Sequence, residues 1–340
     1  MDRQSNRKVV LGLSGGVDSA VAARLLQQDG YQVFGLYMDI SGPSARADAE
    51  ATARFLDIPL EVLDVRAALE DHVCAQFAAA YLRGETPNPC ILCNPTVKFR
   101  SLIECADRVG AHFVATGHYA RARDGMLLKG MPANDQSYML CRLTRSQVER
   151  LILPLGDLEK TQVRQLATEM DIPVAQKPDS MEICFIPDKD YAGWLARRGA
   201  LPQPGPITFR GVPIARHEGI HRWTVGQRLP GLYDGRKLYV SRIAAESNEI
   251  VAALWEDLFQ HRVYVREMNW LIPRPDAPVR GSVRVRHTKW ENPECTVIPD
   301  GDGAVVVCDD PVRAPARGQA AAIYQGDRVV GGGWIERGEL

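Results

Sequence analysis

Lys8-Val-Val-Leu-Gly-Leu-Ser14-Gly15-Gly16-Val17-Asp18-Ser19 passes from an apolar, partly β-branched run into two adjacent glycines. Val9 to Leu13 has the texture of a parallel strand covered on both faces. From Ser19 on, Ala20, Val21, Ala22, Ala23, Leu25 and Leu26 are good helix formers with apolar residues at i, i+3 and i+4 spacing. A strand that turns on glycines into a helix points free N–H groups and the positive end of a helix dipole at one place, which suits a phosphate. No Gly-Lys-Ser/Thr follows, so the turn is not a Walker A loop, and the glycine spacing excludes the dinucleotide fingerprint.

Working outward, Tyr31–Met38, Leu60–Val65 and His112–Gly117 read as further strands. Ala45–Leu56 and Leu69–Leu82 read as helices between them. Such alternation predicts a doubly wound parallel sheet, whose ligands sit beyond the carboxyl ends of the strands. Near residue 200 the texture changes. Pro202, Pro204, Gly205 and Pro206 mark a linker, and short strands punctuated by glycine and proline follow. We therefore expect an α/β domain over 1–200, a small mostly β central domain over 201–268 and a C-terminal antiparallel β-barrel over 269–340.

A chain of 340 residues with 45% hydrophobic composition can build more than one core. Its net charge of −1 excludes a general attraction to nucleic acid, so any such binding needs a local basic surface. No signal-peptide core and no apolar run of about 18 residues is present, which predicts a cytoplasmic protein that does not span a membrane.

Eight cysteines in such a chain are better read as reactive or packed thiols than as a disulfide frame. Cys74, Cys105, Cys141, Cys295 and Cys308 lie in apolar helix-like or strand-like settings and read as inert packing. Cys90 and Cys93 form a Cys-x-x-Cys after Thr86-Pro-Asn-Pro, and Pro87 and Pro89 argue against a regular element before Cys93. A helix expected over Thr96–Arg108 would then place Cys93 near a helix N-terminus, which favours thiolate. Cys184 follows another proline-bounded turn.

His217-Glu-Gly-Ile-His221 matches H-E-x-x-H, but that zinc signature requires a helix. Pro213, Gly219 and the strand expected at Trp223–Val225 argue against one. Arg274, Arg280, Arg284, Arg286, His287 and Lys289, with Trp270 and Trp290, make the best basic cluster for RNA.

The loop Ser14–Ser19 resembles the S-G-G-x-D-S pyrophosphatase loop of enzymes that split ATP between its α and β phosphates. With Thr86-Pro-Asn-Pro…Cys93-Asn94, Lys98-Phe99, Gly117-His118-Tyr119-Ala120, Asp135-Gln136-Ser137-Tyr138, Cys184-Phe185, Thr224–Arg228 and Pro315–Ala320, the chain is similar to the bacterial tRNA-specific 2-thiouridylases from residue 8 to about 334. That resemblance implies ATP with Mg2+, a tRNA whose wobble uridine receives sulfur at C2, and a persulfide donor such as a cysteine desulfurase or sulfur relay protein. It makes Gly12, Leu13, Ser14, Gly15, Gly16, Val17, Asp18 and Ser19 the phosphate loop, with Met38 and Gly117 lining the adenosine pocket. Asn88, Pro89 and Cys90 would face the target base. His118, Asn134, Asp135, Gln136, Arg284 and Gln319 would touch tRNA. Cys184 would carry the persulfide and Cys93 would be its partner thiol, a Cys93–Cys184 disulfide being left after transfer.

Three departures accompany the resemblance. Cys90 stands where relatives usually have Asp, so Cys90, Cys93 and Cys184 offer an alternative, a 4Fe–4S cluster on three thiolates. Asn134 stands where Lys is common, and the segment after Met38 is short and lacks the usual acidic run. Two more distant alternatives keep the same loop: an enzyme that activates a carbonyl for amide or amidine formation, and a non-catalytic RNA-binding module.

Overall fold

The computed structural model describes residues 7–40, 43–178, 183–186, 188–199, 203–286 and 292–338. His287, Lys289, Trp290 and the linker residue Pro202 lie outside them. The chain divides into two compact units. The first comprises Met1–Val73, Cys90–Phe185 and Asp327–Val330, and the second comprises Cys74–Pro89, Ile186–Gly326 and Gly331–Leu340.

The first unit is built on five parallel strands: β1 (Lys8–Gly12), β2 (Gln32–Asp39), β3 (Leu60–Asp64), β4 (Phe113–Ala115) and, after the hairpin β5 (Ala120–Arg123) and β6 (Met126–Lys129), β7 (Leu151–Ile152). Their order is β3-β2-β1-β4-β7. Strand alternation splits β1 between two layers. Val9 and Leu11 join a core with Ala20 and Ala23 of the helix Val17–Gln28, Ala49 and Ala53 of Pro43–Leu56, and Val163 and Ala167 of Lys160–Glu169. On the other face Gly12 lies against the helix Phe99–Val109, where an added methyl would stand 3.7 Å from Leu102. With β2 on one side of β1 and β4 on the other, the chain reverses direction across the sheet at β1/β4. Ligands of such sheets sit beyond a switch point of this kind, where the segments following the two strands here are Leu13–Gly16 and Thr116–Tyr119.

The second unit contains two β structures. β8 (Gly205–Phe209), β9 (Val212–His217), β10 (Tyr239–Ala244) and β11 (Glu249–Ala253) form a four-stranded sheet in the order β10-β11-β8-β9. It is packed around Ile207, Ile220, Leu229, Leu238, Val240, Ile250 and Ala252. β12 (Phe259–Trp270), β13 (Val279–Arg284), β14 (Glu294–Asp300), β15 (Gly303–Arg313), β16 (Ala320–Gln325) and β17 (Arg328–Gly338) follow in the order β12-β15-β14-β13-β16-β17. A β12–β17 pairing closes them into a barrel, which removes the exposed sheet edges. β12 is a single strand that runs through Met268, the boundary expected from sequence.

Two local expectations are corrected. The chain is helical from Pro89, not from Thr96: Pro89–Cys93 is α-helical, Asn94–Lys98 is a wide π turn and Phe99–Val109 resumes the α-helix. Pro89 takes the first helical position, where its missing N–H costs nothing. The wide turn accommodates Pro95, which cannot donate to the carbonyl four residues back. The expected strand at Trp223–Val225 is not formed; a 3-10 turn, Ile220–Arg222, leads into an irregular segment. His217 therefore ends β9, while His221 lies in that turn beyond Gly219, whose φ is +146°. The two histidines do not share a helix face.

Candidate active site

At the switch point, Gly15 adopts φ +73°, a conformation that a side chain would strain. Gly16 is the N-cap of the helix Val17–Gln28 and offers it no side chain. The Ser19 hydroxyl supplies what the glycines lack. It donates to Gly16 O at 3.0 Å and accepts the Ser14 N–H at 3.2 Å, and it lies 3.2 Å from the Ser14 hydroxyl. The first backbone bond of the helix is Ala20 N–H to Gly16 O, so the donors before it are left facing the switch point.

Gly117 presses on this loop from β4's side. A Cβ there would meet Asp18 C at 2.9 Å and Ser19 N at 3.1 Å, so only glycine fits between the β4 segment and the helix start. Met38 borders the same place: its methyl lies 3.6 Å from where a Gly12 Cβ would be. Tyr119 donates its hydroxyl to Asp18 at 2.7 Å. Lys160 reaches both oxygens of that carboxylate, at 2.7 and 2.8 Å. Lys177 donates to Gly15 O at 2.9 Å and to Asp48 at 2.5 Å. Neither lysine was legible as a site residue, because they lie 142 and 162 positions from their loop partners. The only signal in sequence was that an anion site without a lysine of its own must borrow one.

The thiols occupy the same unit. Cys93 and Cys184 are free thiols, with Cys184 exposed and Cys93 half-buried. Cys93 closes the first helical turn and is not at a helix N-terminus, and burial raises its pKa. Lys98, one wide turn on, pulls the other way through its charge and its backbone N–H, while Cys90 adds to the rise. Around the Cys184 sulfur, loss of water pushes the thiol up to about 11 although the residue as a whole is exposed. Cys93 and Cys90 add to this rise and Lys98 opposes it. The three cysteines and Lys98 thus share one electrostatic neighbourhood. Among the described residues, no three His, Cys, Asp or Glu side chains come together as ligands of a single metal ion.

The wide turn is pinned from outside. Asn94 Nδ2 donates to Met139 O at 2.8 Å, and Gln147 Nε2 donates to Pro95 O at 2.8 Å. Gln147 is itself fixed by a capping box with Thr144. The other five cysteines are buried, as packing residues should be.

Several residues expected to touch tRNA are used inside the fold. Asp135 is only 5% exposed; its carboxylate accepts from Gly130 N, Ser137 N and the Ser137 hydroxyl and holds the turn between them. Gln136 exchanges two hydrogen bonds with the Tyr119 backbone. Asn134 accepts from the Lys160 N–H at 3.4 Å, which ties it to the first residue of the helix Lys160–Glu169. His118 stacks on Phe99 and lies 2.7 Å from the Thr116 hydroxyl. Burial, with Lys98 nearby, keeps its pKa well below that of a free imidazole, so it is neutral at pH 7.

In the second unit, Gln319 donates its amide to Thr86 O at 2.7 Å, and Thr86 N–H bonds Arg317 O. Glu85, 3% exposed, accepts from Arg83 at 2.9 Å and pairs with Arg317 at 3.3 Å. The segment that leads into half-buried Asn88 and Pro89 and exposed Cys90 is thereby fastened to the turn before β16. Within the basic cluster, Arg284 bonds Asn292, Arg280 is paired with Asp309, and Arg286 bonds the carbonyls of Ala314 and Val225.

Three family models match the chain in succession. They are described as a tRNA methyl transferase HUP domain (residues 7–188), a tRNA methyl transferase PRC-barrel domain (198–253) and an aminomethyltransferase beta-barrel domain (260–335). The tRNA-specific 2-thiouridylase MnmA of Syntrophotalea carbinolica is 40% identical over 350 residues, covering 98% of this chain and 99% of that protein. Its namesake from Rhodospirillum centenum is also 40% identical, over 98% of this chain and 92% of that one. The relative from Clostridioides difficile is 38% identical over 98% and 99%. With this similarity running through both units, the chain belongs to the tRNA-specific 2-thiouridylase family.

Proposed function

We propose that this protein replaces the C2 oxygen of a tRNA wobble uridine with sulfur, at the expense of ATP. The observation that carries this is one unit holding both a phosphate loop at the switch point and a pair of non-buried free thiols, Cys93 and Cys184. The uracil C2 carbonyl is a poor electrophile. Attack of its oxygen on the α-phosphorus of ATP expels pyrophosphate and converts that oxygen into a leaving group. A persulfide on Cys184, loaded by a donor protein, attacks C2 through its terminal sulfur and AMP departs. Cys93 then attacks the Cys184 sulfur. The S–S bond breaks with its electron pair passing to the sulfur on C2, and the Cys93–Cys184 disulfide that remains is reset by an external dithiol.

In this scheme Gly12–Ser19 hold the phosphates, Met38 and Gly117 border the adenosine, and Mg2+ arrives with ATP. Asn88, Pro89 and Cys90 face the base, and Arg284 contacts tRNA. Gln319 contributes by holding Thr86. Cys90, Cys93 and Cys184 are the residues that would hold an iron–sulfur cluster, and no step of this scheme is routed through one. A base in the anticodon stack has to be turned out to reach such chemistry, at a cost of a few kcal/mol.

The test is a single turnover of anaerobically purified protein on unmodified tRNA, with ATP and a persulfide donor and with bound iron measured. Thiouridine formed together with AMP in an iron-free preparation supports the scheme. Thiouridine that appears only with iron present overturns the persulfide route. Folded protein that makes none under either condition overturns the function. Retention of ATP turnover on another acceptor when both thiols are replaced by serine favours an amide-forming enzyme.

A further inference from the structure

The persulfide route leaves a disulfide between Cys93 and Cys184, and the structure sets a third thiol beside it. Cys90 and Cys93 stand at i and i+3 on the helix Pro89–Cys93. Helix geometry places their Cα atoms about 5 Å apart, inside the span that a disulfide bridges. Ile91, fully buried, and Asn94, bonded to Met139 O, hold that short helix in place. All three thiols are reduced, and Cys90 lies close enough to act on the charge of both Cys93 and Cys184. Their access differs. Cys90 is exposed, Cys93 is half-buried, and the Cys184 sulfur has lost most of its water.

We propose that Cys90 is a resolving thiol, which takes the disulfide over from Cys93–Cys184 and presents it to an external dithiol as Cys90–Cys93. This deepens the persulfide route above and rests on it. The Cys90 thiolate attacks the Cys93 sulfur, and a Cys90–Cys93 bond forms. The Cys93–Cys184 bond breaks with its electron pair passing to the Cys184 sulfur, which takes up the proton that Cys90 gave to solvent. The exchange is neutral in electrons and needs no oxidant. Because one helical turn holds attacker and target together, little freedom is lost in reaching the reacting geometry. Cys184 is returned as a thiol, ready for the next persulfide. A dithiol reductant then attacks the exposed Cys90 sulfur, and Cys93 departs. Lys98, whose charge and backbone N–H favour the Cys93 thiolate, assists that departure. The second thiol of the reductant closes its own disulfide and releases Cys90, so two electrons and two protons pass to the protein.

A single turnover of the full chain on unmodified tRNA, run without reductant, quenched in acid, alkylated and digested with trypsin, tests this. No Lys or Arg lies between Arg83 and Lys98, so Cys90 and Cys93 fall in one peptide and Cys184 in another. The expected product is a disulfide within the Cys90–Cys93 peptide, with Cys184 alkylated. Cys90→Ser is expected to stop one step earlier, with its peptide cross-linked to that of Cys184. Reduction of that cross-link by a small dithiol protein is expected to be at least about tenfold slower than reduction of the unmodified protein after turnover. Thiouridine formed beside a Cys93–Cys184 cross-link and an alkylated Cys90 in the unmodified protein would overturn the proposal and leave the function standing. Thiouridine with all three cysteines alkylated, or equal rates of reduction in the two proteins, would overturn it as well. If no thiouridine forms, the function itself falls and the proposal falls with it.

Discussion

The phosphate loop and the thiol turn lie in the same unit, and each is made where a helix accommodates small or proline residues, but they treat charge in opposite ways. Around Ser14–Ser19 the fold gathers full charges and pairs them: Lys160 with Asp18, Lys177 with Asp48. Around Asn94–Lys98 it suppresses them. Burial raises Cys93, desolvation lifts Cys184 to about 11, and His118 is held neutral. In the proposed scheme the first site receives an anion that arrives with its own charge. The second keeps its nucleophiles protonated until something that enters the site changes their surroundings.

Removing the thiols breaks this contrast most sharply. Cys184→Ser or Cys93→Ser is expected to lower tRNA thiolation by at least about 10³-fold, since neither serine can carry or resolve a persulfide. ATP affinity should stay within about twofold, because the charges that receive phosphate lie in the other loop. A thiolation time course beside an ATP titration checks both halves. A fall in ATP affinity matching the loss of thiolation would mean that the two sites are not separable.

The next largest effect is on the thiol's reactivity with pH. At pH 8, alkylation of Cys184 by iodoacetamide in the folded protein is expected to be about 100-fold slower than in the unfolded chain, two pKa units of suppressed thiolate. The folded pKa is raised from 9.0 to about 11, so folding is stabilised by keeping the proton. That contribution is complete below pH 9 and is lost as pH rises toward 11. Mass spectrometry of the labelled peptide, with and without urea, measures it. Equal rates in the two states would show that the sulfur is fully hydrated.

How far each site could be read from sequence follows the same contrast. The loop was legible because its chemistry is local: two glycines, Ser19 to bond them, and a strand and helix on either side. Its cations were not, since Lys160 and Lys177 reach it only through the folded sheet. The thiol turn was misread for the opposite reason. Pro87 and Pro89 argue against a regular element before Cys93, yet Pro89 opens the helix and a wide turn absorbs Pro95. That moved Cys93 off a helix N-terminus and reversed the expected direction of its pKa. Asp135 stands out in sequence only through the family resemblance, and only the fold shows that Gly130 and Ser137 supply the donors that bury its carboxylate. The β-rich second half was legible from short strands punctuated by glycine and proline, but its inner boundary was not, because β12 runs through Met268 as one strand.

The clamp on the wide turn gives a smaller effect. Gln147→Ala removes the donor to Pro95 O and the side-chain acceptor of the Thr144 N–H in the capping box, and is expected to cost about 2 kcal/mol. If the loss is confined to the turn, Cys93 should be labelled roughly tenfold faster, because local opening gives reagent and water access to its sulfur. Urea unfolding followed beside labelling separates local from global loss. Slower labelling would contradict a burial origin for the raised thiol.

The smallest effect concerns a single charge that acts on both sulfur and imidazole. Lys98 lowers the pKa of Cys93, Cys184 and His118 alike. Replacing it with methionine removes an attraction for thiolate and a repulsion for imidazolium, so all three pKa values should rise. For the thiols, the rise means slower alkylation at fixed pH, by roughly severalfold. For His118 the rise should leave the ring neutral at pH 7, since burial is the larger cause of its depression. An NMR titration of the imidazole together with the alkylation rates tests the shared origin. If the thiols slow and His118 does not move, the substitution acts on the sulfurs by repacking the turn, and not through the lost field of the ammonium group.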